Sequence, residues 1–140
     1  MLRVLVADAR ATTRCEVQQA LALAIEHCRL SEARDWDALQ ARLDEEVWDV
    51  AVVDLRLPGL HGLGRVDALI RAHHHVPFVL MGETIDATMA LSALRAGAAG
   101  YFDRSDIDLE LIGALRTVLA GGVHVSHALA LWPNPFVTRN

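Results

Sequence analysis

The chain has 140 residues, of which 53% are hydrophobic and only 5% aromatic, so we expect one domain with a core of aliphatic side chains. Its 13 basic and 18 acidic residues give a net charge of −5. The basic residues do not cluster along the sequence, which argues against a nucleic-acid-binding surface because phosphate contacts need grouped Lys and Arg. The two cysteines lack metal-ligand spacing and predict reduced thiols. No segment approaches the roughly 20 apolar residues of a membrane span, so a cytoplasmic location is expected.

Short aliphatic runs alternate with longer amphipathic segments along the chain. The runs predict strands at residues 2–7, 29–32, 50–53, 76–81 and 100–103. The amphipathic segments predict helices at residues 12–26, 35–43, 63–71 and 86–96, with Asp35 and Asp86 as N-cap residues. A last helix is predicted to begin at Ser105 or Asp106 and to end before Gly121. The run at 50–53 is apolar without alternation, which is typical of a central parallel strand buried on both faces. Five strands alternating with five helices predict a doubly wound, parallel α/β sheet.

The end of the chain and the histidine run give weaker signals. Residues after Gly122 carry two prolines and no clean period, which predicts a domain over residues 1–121 followed by a linker or tail over 122–140. The consecutive histidines at 73–75 predict a solvated loop before Pro77, because adjacent residues on a helix end do not face one another as metal ligands would.

Two predicted strands end in an aspartate, Asp8 after the first and Asp54 after the third. Ligands of open parallel sheets bind at the carboxyl ends of the strands. Since neighbouring strands lie about 4.8 Å apart, carboxylates at adjacent ends can share a cation or a phosphoryl group. Each aspartate could instead simply terminate a strand or cap the next helix, and Asp8 taken alone fits that reading.

Residues 49–62 (DVAVVDLRLPGLHG) carry an apolar strand, an aspartate, a Pro-Gly pair and a second glycine. This string resembles the receiver domain of two-component response regulators, and two further strings match the same family. Residues 95–104 (RAGAAGYFDR) are similar to the family's Gly-Ala-x-Gly-Tyr segment, and residues 3–14 (RVLVADARATTR) to its first strand and acidic corner. The resemblance spans residues 2–121 and implies a flavodoxin-like sheet of order 2-1-3-4-5, with Asp54 as the phosphoacceptor.

Carried over residue by residue, the resemblance implies a degenerate site. Asp54, the first acid of the corner (Asp8) and the aromatic switch position (Tyr101) match the family pattern. The departures are Ala9 for the second acid, Gly82 for the usual Ser or Thr, Glu83 for a small residue and Arg104 for the usual lysine. Thr84 shares the strand parity of Gly82 and is the remaining candidate for the missing hydroxyl.

The departures alter the expected chemistry. The resemblance implies that Mg²⁺ would be held by Asp8, Asp54 and the backbone carbonyl of Arg56, but the lost second acid makes this site weak or absent. The guanidinium group of arginine is planar and can donate two parallel hydrogen bonds, whereas the ammonium group of lysine is a compact point charge. Arg104 can therefore pair with a carboxylate or a phosphoryl group, or extend into solvent. Our hypothesis is that a pair with Asp54 or Glu83 supplies the positive charge that metal and lysine normally share.

The resemblance implies signal reception, with a sensor histidine kinase or a small phosphodonor phosphorylating Asp54, and no enzymatic activity on an outside substrate. Residues 121–130 (GGVHVSHALA) are similar to the linker of the NarL/FixJ class, which implies a homodimer and DNA binding only through a following LuxR-type helix-turn-helix domain. The alternative is a phosphorylation-independent pseudo-receiver that acts as a dimerisation or docking module. A flavodoxin-like enzyme or nucleotide binder would need a glycine-rich loop after the first strand, and ADARATTR contains no glycine.

Overall fold

The computed structural model describes residues 1–83 and 87–126. The strands are β1 (Leu2–Ala7), β2 (Cys28–Ala33), β3 (Val50–Asp54), β4 (Phe78–Gly82), β5 (Gly100–Asp103) and β6 (His124–Val125). The helices are α1 (Ala11–Ala24), α2 (Trp36–Glu45), α3 (Leu63–Ala72), α4 (Ala87–Arg95) and α5 (Ile107–Leu119). All strand pairs are parallel, in the order β2-β1-β3-β4-β5-β6. The predicted flavodoxin-like fold class is confirmed, and β6 extends the sheet by one short strand.

The two faces of the sheet carry separate apolar cores. Helices α2, α3 and α4 cover one face, where Ala51 and Val53 of β3 contribute to the core. Helices α1 and α5 cover the other face, where Val50 and Val52 pack. Because both faces of β3 and β4 are covered, every residue of these strands is buried. This explains why the central strands are continuously apolar in sequence.

Local signals fix the ends of several elements. The carboxylate of Asp35 accepts a hydrogen bond from the backbone N–H of Ala38 at 2.8 Å and caps α2 as predicted. Helix α1 ends at Ala24, two residues earlier than predicted, because the chain turns at His27 (φ 55°) to enter β2. A 3-10 turn over Arg104–Asp106 precedes α5. The predicted cap Asp86 lies outside the described residues.

The sixth strand was not predicted, since two residues are too few to show a period. The His124 N–H donates to the carbonyl of Ala99, and the Ser126 N–H donates to that of Tyr101, which attaches the chain to the edge of β5. Buried Glu110 on α5 holds the same segment through His124 Nε2 and Ser126 Oγ, both at 2.9 Å. The remainder of the predicted tail, residues 127–140, lies outside the described part of the chain. No helix within residues 1–83 and 87–126 has the length and apolar composition needed to cross a bilayer.

Candidate functional site

Four predicted site residues meet at the carboxyl end of the sheet. Asp8 follows β1, Asp54 ends β3, Glu83 follows β4 and Arg104 follows β5. Asp8 is fully buried and Asp54 is 2% exposed, which is unusual for carboxylates without a charged partner. The strand order places these residues side by side although they are far apart in the sequence.

The guanidinium of Arg104 is the charged partner that these carboxylates share. Its Nη2 donates to Asp8 Oδ2 at 2.7 Å and to Asp54 Oδ2 in a closer contact, and its Nη1 donates to Glu83 Oε1 at 3.0 Å. The Arg104 side chain is only 10% exposed, so these charge-assisted bonds lie largely out of water. Its buried Nε has no hydrogen-bond partner among the described residues. Arg104 therefore contacts both carboxylates named in our sequence hypothesis, and Asp8 in addition.

Glu83 joins a second layer of arginines to this cluster. Arg10 Nη2 donates to Glu83 Oε1 at 2.7 Å, and Arg56 Nη1 donates to Oε2 at 2.9 Å. With Arg104, three guanidiniums thus balance the three carboxylates at this end of the sheet. Sequence reasoning missed the side chains of Arg10 and Arg56. The available signal was their position, two residues after the strand-end aspartates Asp8 and Asp54.

The surroundings of Asp54 raise the pKa of its carboxyl group. Burial raises the pKa of this carboxyl above the ordinary 3.8, and the nearby charge of Asp8 raises it further. The Arg56 backbone N–H, which donates to Asp54 Oδ1 at 3.1 Å, and the Arg104 guanidinium lower the pKa. The net direction is upward because desolvation is the largest effect. The Arg56 backbone N–H and the Arg104 guanidinium therefore offset part of the effect of burial on the Asp54 pKa.

Gly82 and Tyr101 are packed against each other beside this cluster. Tyr101 is 1% exposed, and its ring extends along the sheet face towards the carboxyl end of β4. A Cβ atom placed on Gly82 would overlap the Tyr101 hydroxyl and lie 2.8 Å from Cζ. Gly82 has no left-handed φ, so close approach is what requires glycine here. The space that a side chain at position 82 would fill is therefore occupied by tyrosine. Thr84, the alternative source of a hydroxyl, lies outside the described residues.

The residues present do not fit a Mg²⁺ ion in this arrangement. One nitrogen of Arg104 lies between the Asp8 and Asp54 carboxylates, where a shared cation would bind. Ala9 is exposed and offers no third carboxylate. Within the described ranges, no group of three or more His, Cys, Asp or Glu side chains is arranged to hold a metal. The cationic group that lies between these two carboxylates in the structure is the Arg104 guanidinium.

Comparison with known proteins identifies the family. The family model for the response regulator receiver domain matches residues 4–115. The chain belongs to this family. Receiver domains of response regulators are signalling domains that act with histidine kinases, often dimerise, and typically bind Mg²⁺ at the phosphorylation site. Its site departs from the family pattern at Ala9, Gly82, Glu83 and Arg104.

Relatives and solved structures agree with this assignment. The receiver domain is 30% identical over 132 residues to the response regulator GacA of Pseudomonas protegens, covering 93% of this chain and 61% of the relative. It is also similar to a LuxR-family response regulator from Aurantimonas (26% identity, TM-score 0.80, 91% of each chain covered). The fold matches Salmonella typhimurium RcsB (18% identity, TM-score 0.85, 93% of this chain and 68% of the other). The match spans about three fifths of the length of the Pseudomonas relatives.

Proposed function

We propose that Asp54 accepts a phosphoryl group and that this modification controls dimerisation or an output domain. The observation that supports the proposal most directly is the position of Asp54. Its carboxylate ends a central strand, next to a second carboxylate and a guanidinium that match the anionic and cationic parts of a phosphoryl-transfer site. The donor would be a sensor histidine kinase or a small phosphodonor in the cytoplasm.

The reaction requires Arg104 to change partners. An Asp54 carboxylate oxygen attacks phosphorus and forms a P–O bond, while the bond between phosphorus and the donor breaks and its electrons leave with the donor. In this proposal Arg104 turns from the carboxylate to the new phosphoryl oxygens, for which a guanidinium fork is well suited. Its unpartnered Nε–H provides a further donor. Arg104 would thus perform the neutralising role for which the rest of the family uses metal and lysine.

The output is proposed from the chain's relatives. The RcsB structure that shares this fold is described in terms of DNA interaction, and the GacA relative is longer than this chain. Because β6 belongs to the sheet, the domain extends past the predicted boundary at residue 121. We propose that the chain after Ser126 leads towards a LuxR-type helix-turn-helix domain, through which any DNA contact would be made. Attachment of β6 to β5 would give such a domain a fixed point of departure from the receiver.

The test is intact mass spectrometry after incubation with acetyl phosphate or phosphoramidate, with and without Mg²⁺. The expected result is a single phosphoryl adduct in the wild type and none in Asp54→Asn. Labelling is expected to depend only weakly on Mg²⁺, because Arg104 already neutralises the site. Absence of an adduct, both from small donors and from a panel of purified histidine kinases, would contradict phosphorylation of Asp54 in a protein whose circular dichroism shows it to be folded.

One observation favours a second function, the phosphorylation-independent pseudo-receiver. Asp54 is 2% exposed and already bonded to Arg104, so the site is neutralised without a phosphoryl group. In that case the domain would be a constitutive dimerisation or docking module. Equal dimer dissociation constants for the wild type and Asp54→Asn, in the presence and absence of phosphodonor, would support this function over the first.

A further inference from the structure

A second charged feature lies at the opposite edge of the sheet from β6. A cavity of about 470 Å³ opens along the outer side of β2, between α1 and α2. Three arginines that are scattered in the sequence converge on it, each from a different element: Arg14 from α1, Arg34 from the segment after β2, and Arg42 from α2. Glu32 is the one carboxylate in its lining. The lining therefore has a net positive charge, with three arginines against one glutamate, although the chain as a whole carries a net charge of −5.

The three arginines are poorly neutralised by the protein itself. Arg14 Nε lies 3.7 Å from Glu32, a long contact, and Arg42 reaches Glu45 of its own helix at 3.4 Å with both side chains about half exposed. Exposed pairs of this kind contribute little stability. Arg34 has no hydrogen-bonded or ionic partner among the described residues. The cavity thus keeps guanidinium donors available for a ligand.

One of the arginines is held in place before any ligand binds. The Arg14 side chain is 14% exposed, and its Nη1 donates to the backbone carbonyl of Asp8 at 2.8 Å. A fixed guanidinium loses less conformational entropy on binding than a mobile one. This hydrogen bond also connects the cavity to the backbone of Asp8, a residue of the candidate phosphorylation site. A ligand in the cavity would therefore contact the same arginine that bonds to Asp8.

We propose that this β2-edge cavity binds a compact polyanion, a small molecule that carries two or more phosphate groups. Guanidinium forks bind phosphate oxygens bidentately, and three of them around one concave space favour a ligand with more charge than a single carboxylate. The volume falls within the range of small-molecule sites. Among the described residues the lining contains no aromatic ring on which a nucleobase could stack, so the phosphate groups are the part of the ligand that is recognised. The proposal is independent of phosphorylation at Asp54.

The test titrates the full chain with sodium pyrophosphate and separately with ADP, by calorimetry and by amide chemical-shift mapping in low salt. The expected result is one site per chain, with shifts concentrated in α1, β2 and α2. Arg34→Gln is expected to weaken binding about tenfold, the loss of one charge-assisted contact, and added NaCl is expected to weaken it further. The matched control is Arg95→Gln, an exposed arginine on α4 at the other end of the sheet, which is expected to change affinity less than about twofold.

The outcomes separate the alternatives. Equal affinities for pyrophosphate and ADP would show that the phosphates alone are recognised. Tighter binding of ADP, with chemical-shift changes at the same amides, would identify the ligand as a nucleotide. Both results support the proposal. Three results would overturn the proposal. These are chemical-shift changes confined to the Asp8–Asp54 end of the sheet, equal losses of affinity in Arg34→Gln and Arg95→Gln, and no binding at millimolar ligand. Binding of an acidic peptide at this edge without pyrophosphate binding would also overturn it, in favour of a protein interface.

Discussion

The packing of Tyr101 over Gly82 makes Gly82→Ala a sharp test of how this receiver differs from its family. The added methyl group would lie 2.8 Å from Tyr101 Cζ, and the ring is rigid and 1% exposed, so it cannot yield without leaving its site. Overpacking of this kind costs about 1–3 kcal/mol. We therefore expect Gly82→Ala to lower the free energy of unfolding by about 2 kcal/mol, measured by urea denaturation with the fluorescence of buried Trp48 as the signal.

Two further variants make the result specific to the ring. Gly113→Ala is the matched control, because Gly113 is exposed within α5 and a Cβ there meets nothing within 4 Å. That change is expected to stabilise the protein by about 1 kcal/mol. In a Tyr101→Val background the ring is absent, and Gly82→Ala is expected to cost close to nothing. If Gly82→Ala costs as much with valine at 101 as with tyrosine, the contact between the two residues is not the cause and the reasoning fails.

Three further predictions concern charges and caps. Because burial raises the pKa of Asp54 above its ordinary 3.8, its contribution to stability is greatest when it is protonated and is lost as pH rises through the raised value. Urea denaturation of Asp54→Asn should therefore show a gain in stability relative to wild type that grows as the pH rises above 3.8, and a difference that does not change with pH would contradict this. Arg104→Met leaves three carboxylates without their shared partner and should cost about 3 kcal/mol at pH 7; a loss below about 1 kcal/mol would show that the guanidinium is not needed. Asp35→Ala removes the α2 cap and should cost about 1 kcal/mol in thermal or urea unfolding, whereas Asp37→Ala, on an exposed position of the same turn that makes no capping bond, should cost clearly less.

The sequence by itself determined the order and type of the elements. The run at 50–53 is apolar at every position, which is typical of a strand covered on both faces. Together with the alternation of five strands and five helices, it indicated a parallel sheet between two helical layers. The Asp35 cap was equally readable, because the capping bond joins residues three apart. The strand-end positions of Asp8 and Asp54 followed from the same runs, since the carboxyl ends of parallel strands share one edge.

The tertiary structure decided which side chains meet at that edge. Arg104 forms hydrogen bonds with Asp8, which is 96 residues away in the sequence, and with Asp54, which is 50 residues away. Only the order and twist of the strands bring these residues together. The sequence left Arg104 free to pair with a carboxylate, a phosphoryl group or solvent. Three other features could likewise be seen only in the tertiary structure. They are the packing of Tyr101 into the space over Gly82, the attachment of β6 by Glu110 and the convergence of three arginines on the β2 edge. They depend on the direction of side chains on neighbouring elements, whereas sequence periodicity specifies only which face of an element is buried.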